Sequence, residues 1–258
     1  YLVVEEAEFY ELLINGKPVE KKICGYFRDK SFIKLDISGK IVKGDNVITL
    51  ITDFVQPQHI YDTIKDCYEF EAMRNKLWYD REINELYLLG DFGVRADAPY
   101  RPASNRSYFT DGGFTLVPAM DTVKDGNIAV QDYPFYTGKM TLEKTITFAD
   151  GETENRMIEF SRMGAVIIKT CINGKTLAPL TRAPYRFDLS GLLVTGENKI
   201  ELEITNNFRN LLGPLHLGGE SYSVGPASFQ HESKIFGGGR NCGWTDGYAF
   251  LEYGLFFK

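Results

Sequence analysis

The sequence has little of what most catalytic and metal sites are built from. Histidine occurs at His59, His216 and His231 only, and no two of them have the i, i+4 spacing of a helical metal pair. The four cysteines, Cys24, Cys67, Cys171 and Cys242, are scattered without a CxxC pair. That excludes the usual zinc frameworks and a disulfide scaffold, and leaves free, buried thiols as the expectation. No Gly-x-Ser-x-Gly elbow marks a serine nucleophile, and no phosphate-loop or dinucleotide fingerprint is present. The run Gly237-Gly238-Gly239-Arg240 lacks the strand–helix setting that phosphate cradling needs. Excess positive charge is missing too. Lys and Arg total 29 against 35 Asp and Glu, for a net charge of -6, which argues against a dedicated nucleic-acid binder. No apolar run approaches the roughly 18–20 residues of a membrane span.

What is present is a globular β composition. Aromatic residues make up 14% of 258 residues, which excludes a disordered chain. The length suits one large domain or two of roughly 100–150 residues. The chain opens on Tyr1 with Leu2-Val3-Val4 already strand-like, and is read as a piece of a longer polypeptide, so its localisation is not legible from its N-terminus. Apolar and polar residues alternate over 32–37, 46–51, 140–146 and 199–204, the period of a half-buried strand. Gly-containing turns separate these stretches, among them Asn15-Gly16, Asp111-Gly112-Gly113, Asp150-Gly151 and Asn173-Gly174. One helix is expected over roughly Tyr61–Tyr79, with Phe70, Met73 and Leu77 on a shared face. The pattern is that of an all-β sandwich with a short helical insertion.

Three blocks recur in order. Ile14-Asn15-Gly16-Lys17 returns as Ile172-Asn173-Gly174-Lys175. Leu35-Asp36-Ile37-Ser38-Gly39 returns as Phe187-Asp188-Leu189-Ser190-Gly191. Gly44-Asp45-Asn46-Val47-Ile48-Thr49-Leu50 returns as Gly196-Glu197-Asn198-Lys199-Ile200-Glu201-Leu202. Ordered repetition of this kind implies two copies of one module, residues 1–132 and 133–258. The first copy reaches its Asn-Gly turn with far less chain before it than the second. Its opening strands are therefore expected upstream of Tyr1 or on another chain.

The repeated Asn-Gly-Lys, Asp-(Ile/Leu)-Ser-Gly and Gly-(Asp/Glu)-Asn-x-Ile-x-Leu pattern resembles the galactose-binding-like jelly roll of family 2-type and rhamnosidase-like bacterial glycoside hydrolases. The stretch Glu82–Val94 is similar to the closing part of such a module. Leu212-Gly213-Pro214-Leu215-His216, Trp244–Tyr248 and Glu252-Tyr253-Gly254-Leu255 are similar to the end of the C-terminal one. The resemblance implies two tandem jelly-roll β-sandwiches that are accessory to a catalytic domain and in some cases contact carbohydrate. The partners it implies are a carbohydrate or the parent enzyme's catalytic domain. A structural calcium occurs in folds of this class, but no Asp-x-Asp-x-Asp spacing supports one here, and no cofactor is expected.

Hydrolysis of a glycoside needs two carboxyls facing each other across the scissile bond. Asp91, Asp111, Asp121, Asp132, Glu220 and Asp246 lie in turn regions, where a solvated surface would put acids anyway. No constellation singles out a catalytic pair. Sugar faces stack on aromatic rings while hydroxyls pair with planar polar groups. Trp244, with Asp246 and Asn241 nearby, combines both needs, and is the expected carbohydrate-contact region; His216, after Gly213-Pro214, is a further candidate contact for which structural hydrogen bonding is the favoured alternative. For Trp78, beside Leu77, a core position is expected. A purely structural docking module remains the alternative to a carbohydrate-associated one.

Overall fold

The computed structural model describes residues 1–104, 106–217 and 245–258. Antiparallel strands dominate it, and the chain divides into two compact units, Tyr1–Gly90 and Asp91–Lys258. The all-β reading holds.

The first unit contains β1 (Leu2–Glu5), β2 (Glu11–Ile14), β3 (Lys17–Pro18), β4 (Ile23–Phe27), β5 (Asp29–Leu35), β6 (Ile48–Ile51), helix α1 (Gln58–Glu69) and β7 (Tyr87–Leu88). One sheet runs β4-β5-β1-β7 and the other β3-β2-β6. Leu2, Val4 and Leu35 of the first sheet and Leu12 and Ile14 of the second share one core. Burying these aliphatic faces together is what drives the two sheets into contact.

The helical region departs from expectation. α1 starts after Pro57, ends at Glu69, and gives way to a 3-10 segment, Glu71–Lys76. Phe70 leaves helical geometry (φ -133°), so the i, i+3, i+4 face expected through Phe70, Met73 and Leu77 is broken. Buried Gln56 ties down the chain beyond it, donating to Arg81 O at 2.6 Å and accepting from the Asp80 and Arg81 N–H groups. Trp78 lies outside the core, 79% exposed. Cys24, on the edge strand β4, is exposed and its thiol meets Lys34 O at 3.3 Å. Cys67 and Cys171 are only half-buried. All three are free, but the expected burial fails because each side chain stands on a face that stays partly open to solvent. Cys242 is outside the described residues.

The second unit contains β8 (Phe92–Ala96), β9 (Arg101–Pro102), β10 (Ser107–Thr110), β11 (Phe114–Pro118), β12 (Gly126–Asn127), β13 (Gly138–Phe148), β14 (Met157–Gly164), β15 (Ile167–Ile172), β16 (Lys175–Thr176), β17 (Arg186–Asp188), β18 (Gly196–Asn206), the single-turn α2 (Arg209–Leu212), β19 (Tyr248–Leu251) and β20 (Gly254–Phe257). Its two main sheets run β13-β18-β15-β16 and β12-β20-β14-β17. Ile168, Ile172, Ile200, Leu202 and Ile204 from the one pack with Phe160, Phe187 and Leu255 from the other. Small sheets β19-β10-β9 and β11-β8 add an aromatic end. There Phe250, fully buried, meets Phe114, Phe135 and Tyr100 edge-on at 5.9, 4.9 and 6.3 Å.

The compact units do not meet at 132/133. Residues 91–132 belong with the C-terminal strands because their backbone hydrogen bonds go there. Ser107–Thr110 pairs with Tyr248–Leu251, Gly126–Asn127 with Gly254–Leu255, and Ile128 N–H donates to Tyr253 O at 2.7 Å. Ile128 and Ala129 are buried in the second unit's core.

The segments paired by the repeat build the same local structure. Asn15-Gly16 and Asn173-Gly174 turn with φ of 52° and 75°, and of 50° and 81°. Consecutive left-handed residues make the tight hairpin turn that suits strand twist, and Asn-Gly tolerates it. The Asn15 Oδ1 accepts from Val47 N–H at 2.8 Å, and Asn173 Oδ1 from Lys199 N–H at 2.9 Å. The amide of Asn15 donates to Asn46, and that of Asn173 to Asn198. Asn46 closes its own loop through Val42 and Gly44, as Asn198 does through Val194 and Gly196. Asp36 and Asp188 each accept a backbone hydrogen bond at 2.9 Å, from Ser38 and Ser190.

Candidate functional site

Strand β19 organises the polar groups of the second unit, one set at each end. At its start, Thr245 N–H donates to His216 O at 2.8 Å and Ala249 N–H to Leu215 O at 2.7 Å. The His216 ring lies 4.7 Å from that of Tyr248, with Nδ1 at 3.0 Å from Gly247 O. Gly247 is required here, since a Cβ on it would sit 2.3 Å from the Phe109 ring. Asp246 is exposed on the same turn. His216 thus contacts Thr245 and Gly247, the residues on either side of Asp246. Trp244 and Asn241, with Glu220 and the Gly237–Arg240 run, lie outside the described residues.

At its other end β19 borders a cleft of about 120 Å³, lined by Arg106, the β14–β15 turn, Asn206, Asn207, Asn210 and Glu252. Glu252 follows β19 and has a side chain 4% exposed. Both its oxygens accept from Arg162, at 2.8 and 2.9 Å, a bidentate geometry that fixes carboxylate and guanidinium together. The same pairing raises the Arg162 pKa above its ordinary value, and the guanidinium also lies 3.8 Å over the Phe256 ring. Arg106 approaches Glu252 at 3.7 Å. Asn210 exchanges hydrogen bonds of 2.9 Å with the Leu251 backbone in both directions, so its amide positions the strand. Asn206 holds Tyr136 O at 3.0 Å, and Asn207 Oδ1 accepts from Arg209 N–H.

A larger cleft of about 650 Å³ opens between the two main sheets, over Leu142, Ile146, Ile158, Ile200, Leu202 and Leu255. Asp121, Lys124, Asp125, Glu143 and Lys144 border it as well, so one of the acidic residues singled out from sequence lies at this cleft. Beside the aromatic end, burial raises the pKa of Tyr100 and pushes that of Tyr253 well up, neighbouring tyrosines adding to the second. Of the acidic residues singled out from sequence, Asp111 pairs with Arg101 and Asp132 with Arg95, each at 2.7 Å. Among the described residues no three His, Cys, Asp or Glu side chains gather as a metal site.

Sequence reading missed the cleft. Asn206 ends β18 and Glu252 links β19 to β20, and their convergence depends on β14 pairing with β20 and α2 packing on β19, which no local pattern announces.

No family model matches the chain. In sequence, 48 residues, 19% of the chain, are 44% identical to a protein of Formosa agariphila named "Putative beta-glucuronidase". The matched stretch covers 4% of that protein's length. The chain is thus similar to a small part of a glycoside-hydrolase-type protein. The solved β-D-glucuronidase of Dictyoglomus thermophilum aligns at 18% identity over 46% of this chain and 21% of its own, with a TM-score of 0.25. The rhamnosidase of Novosphingobium sp. PP1Y aligns at 13% identity over 93% of this chain and 20% of its own, with a TM-score of 0.28. TM-scores this low carry no argument, and the fold assignment rests on the strands themselves.

Proposed function

We propose that this chain is an accessory, carbohydrate-associated segment of a multidomain glycoside hydrolase, made of two galactose-binding-like jelly-roll modules. The observation that carries the reading is the cleft at the end of β19. Arg106, Asn207 and Glu252 present a guanidinium, an amide and a carboxylate to one small cavity, the planar groups that pair with sugar hydroxyls. Among the described residues Glu252 is the cleft's one carboxylate, and both its oxygens are taken up by Arg162, whereas glycoside hydrolysis needs two carboxyls of different roles. On this reading the segment holds sugar, and the bond-breaking belongs elsewhere in the polypeptide. The turn bearing Asp246, which His216 contacts at Thr245 and Gly247, is the second contact region, with Asn241 and Trp244 beside it in sequence.

The name of the relative makes β-glucuronosyl-terminated oligosaccharides the first probe. Titration calorimetry should show binding that Asn207→Ser weakens by about fivefold, one hydrogen bond's worth, at unchanged melting temperature. Serine keeps an oxygen for the Arg209 N–H, so the fold is spared. Trp244→Ala should weaken binding as well. Absence of binding to these and to a wider glycan panel would overturn the carbohydrate reading.

A docking role without sugar is the second reading, and one stretch of the first unit favours it. Tyr68, Phe70, Trp78 and Ile83 are 88, 64, 79 and 72% exposed, an apolar concentration of the kind that marks protein contact surfaces.

A further inference from the structure

The outer edge of β6 differs from its counterpart in the second unit in one respect. β18 is hydrogen-bonded on both sides, to β15 and, over an eleven-residue register from Gly138↔Asn206 to Phe148↔Gly196, to β13. β6 pairs with β2 in the register that β18 keeps with β15, Ile14↔Ile48 matching Ile172↔Ile200. Among the described residues its other edge has no strand. Asn15 N–H donates to Val47 O, so the alternation of an antiparallel ladder turns the N–H and C=O groups of Ile48 and Leu50 outward.

The side chains record the same gap. Ile200 and Leu202 are buried at 7 and 6% exposure, with Leu142 and Ile146 of β13 packed against their core. Ile48 and Leu50 are only half-buried, and Val47 and Ile51 on the opposite face are 62 and 50% exposed. Native edge strands are normally guarded by Lys, Pro or a bulge. Val47-Ile48-Thr49-Leu50-Ile51-Thr52 carries no charge and no proline.

We propose that the β6 edge is a strand acceptor, and that its occupant is an antiparallel strand carried N-terminal to β1 in the same polypeptide. Strand order supplies the argument. β1 pairs with β5 and β7 as β14 pairs with β17 and β20, and β13 directly precedes β14. The equivalent of β13 therefore comes before β1. In the β13 register it would set its Leu142 counterpart opposite Leu50 and its Lys144 counterpart opposite Ile48. The outer face chooses further. β18 shows Lys199, Glu201 and Glu203 there and pairs Lys199 with Glu143 at 2.8 Å, whereas β6 shows Val47, Thr49 and Ile51. The accepted strand is uncharged on the outer face that it lays beside Val47, Thr49 and Ile51.

The test joins the β13 sequence, with Glu143→Val, to Tyr1 through a linker copied from residues 149–156, and follows amide hydrogen exchange. Exchange at Ile48 and Leu50 should slow by about tenfold or more, with Thr49, already facing β2, changed little. The strand bearing the original Glu143 should protect less. Three results would overturn the proposal: unchanged exchange at both amides, protection of both amides already in the unextended chain, or their protection only on dimerisation seen by light scattering.

Discussion

Asn46 and Asn198 make the same hydrogen bonds in two different environments. Each accepts from a backbone N–H four residues earlier at 2.8 Å and returns a bond to the same residue's carbonyl at 2.7 Å. Asn198 is fully buried beside a strand flanked on both sides, while Asn46 is half-open beside a strand flanked on one. The turn chemistry is thus local and forms wherever its few residues occur. Burial is not local. It depends on whether another strand has been laid over the same residues, and it decides how much each contact is worth.

The largest consequence is in the aliphatic pair. Leu202→Ala removes a buried side chain from a strand paired on both sides and should cost about 3 kcal/mol, whereas Leu50→Ala on the open edge should cost about 1–1.5 kcal/mol. Hydrogen exchange of each unit's core amides reports the two costs separately, without assuming that the units unfold together. Equal costs would mean that β13 contributes little to the burial of β18, and the contrast would fail. A smaller gap should appear at the asparagines. Asn198→Ala leaves Val194 N–H and two carbonyls without the fully buried side chain that pairs with them and should cost about 2–3 kcal/mol. Water can replace the side chain of Asn46, so Asn46→Ala should cost about 1 kcal/mol. If Asn46→Ala costs as much, the first site is closed in solution and its openness is wrong.

How much of this was legible depended on range. The Asn-Gly turns, the Asp-x-Ser turns and the strands at 140–146 and 199–204 were legible because each is encoded in a few adjacent residues. The placing of 91–132 was not, since Ser107–Thr110 finds its partner only at Tyr248–Leu251. The same holds for Trp78, whose neighbour Leu77 suggested a core. Its exposure follows from the chain leaving the helix at Phe70 and being pinned by Gln56. At the candidate site, His216 was singled out from its Gly-Pro-Leu-His motif and Asp246 from the segment around Trp244, each from adjacent residues alone. The Glu252–Arg162 pair was not, because ninety residues separate partners that meet only when β14 and β20 are side by side.

The smallest expected effect concerns the two turn aspartates, where the units should agree. Asp36 is held at about 2, below its ordinary 3.8, by the hydroxyl and N–H of Ser38, with Lys22 adding at 3.3 Å. Asp188 is lowered in the same way by Ser190, with Arg186 nearby. A carboxyl depressed in the folded state stabilises above its unfolded pKa, and that contribution is lost as pH falls through the folded one. Acid should therefore loosen the first turn between about pH 4 and pH 2, and only slightly, since both carboxyls face water. Carboxyl NMR titration checks the cause directly. Ser38→Ala should move Asp36 most of the way back to 3.8, and Ser190→Ala should move Asp188 upward likewise. Lys22→Ala should move Asp36 less, and added salt should reproduce that smaller shift, because screening weakens a charge pair far more than a hydrogen bond. If Lys22→Ala moves Asp36 further than Ser38→Ala, the turn is held by charge, which the second unit does not supply in the same place, and the agreement between the units breaks there.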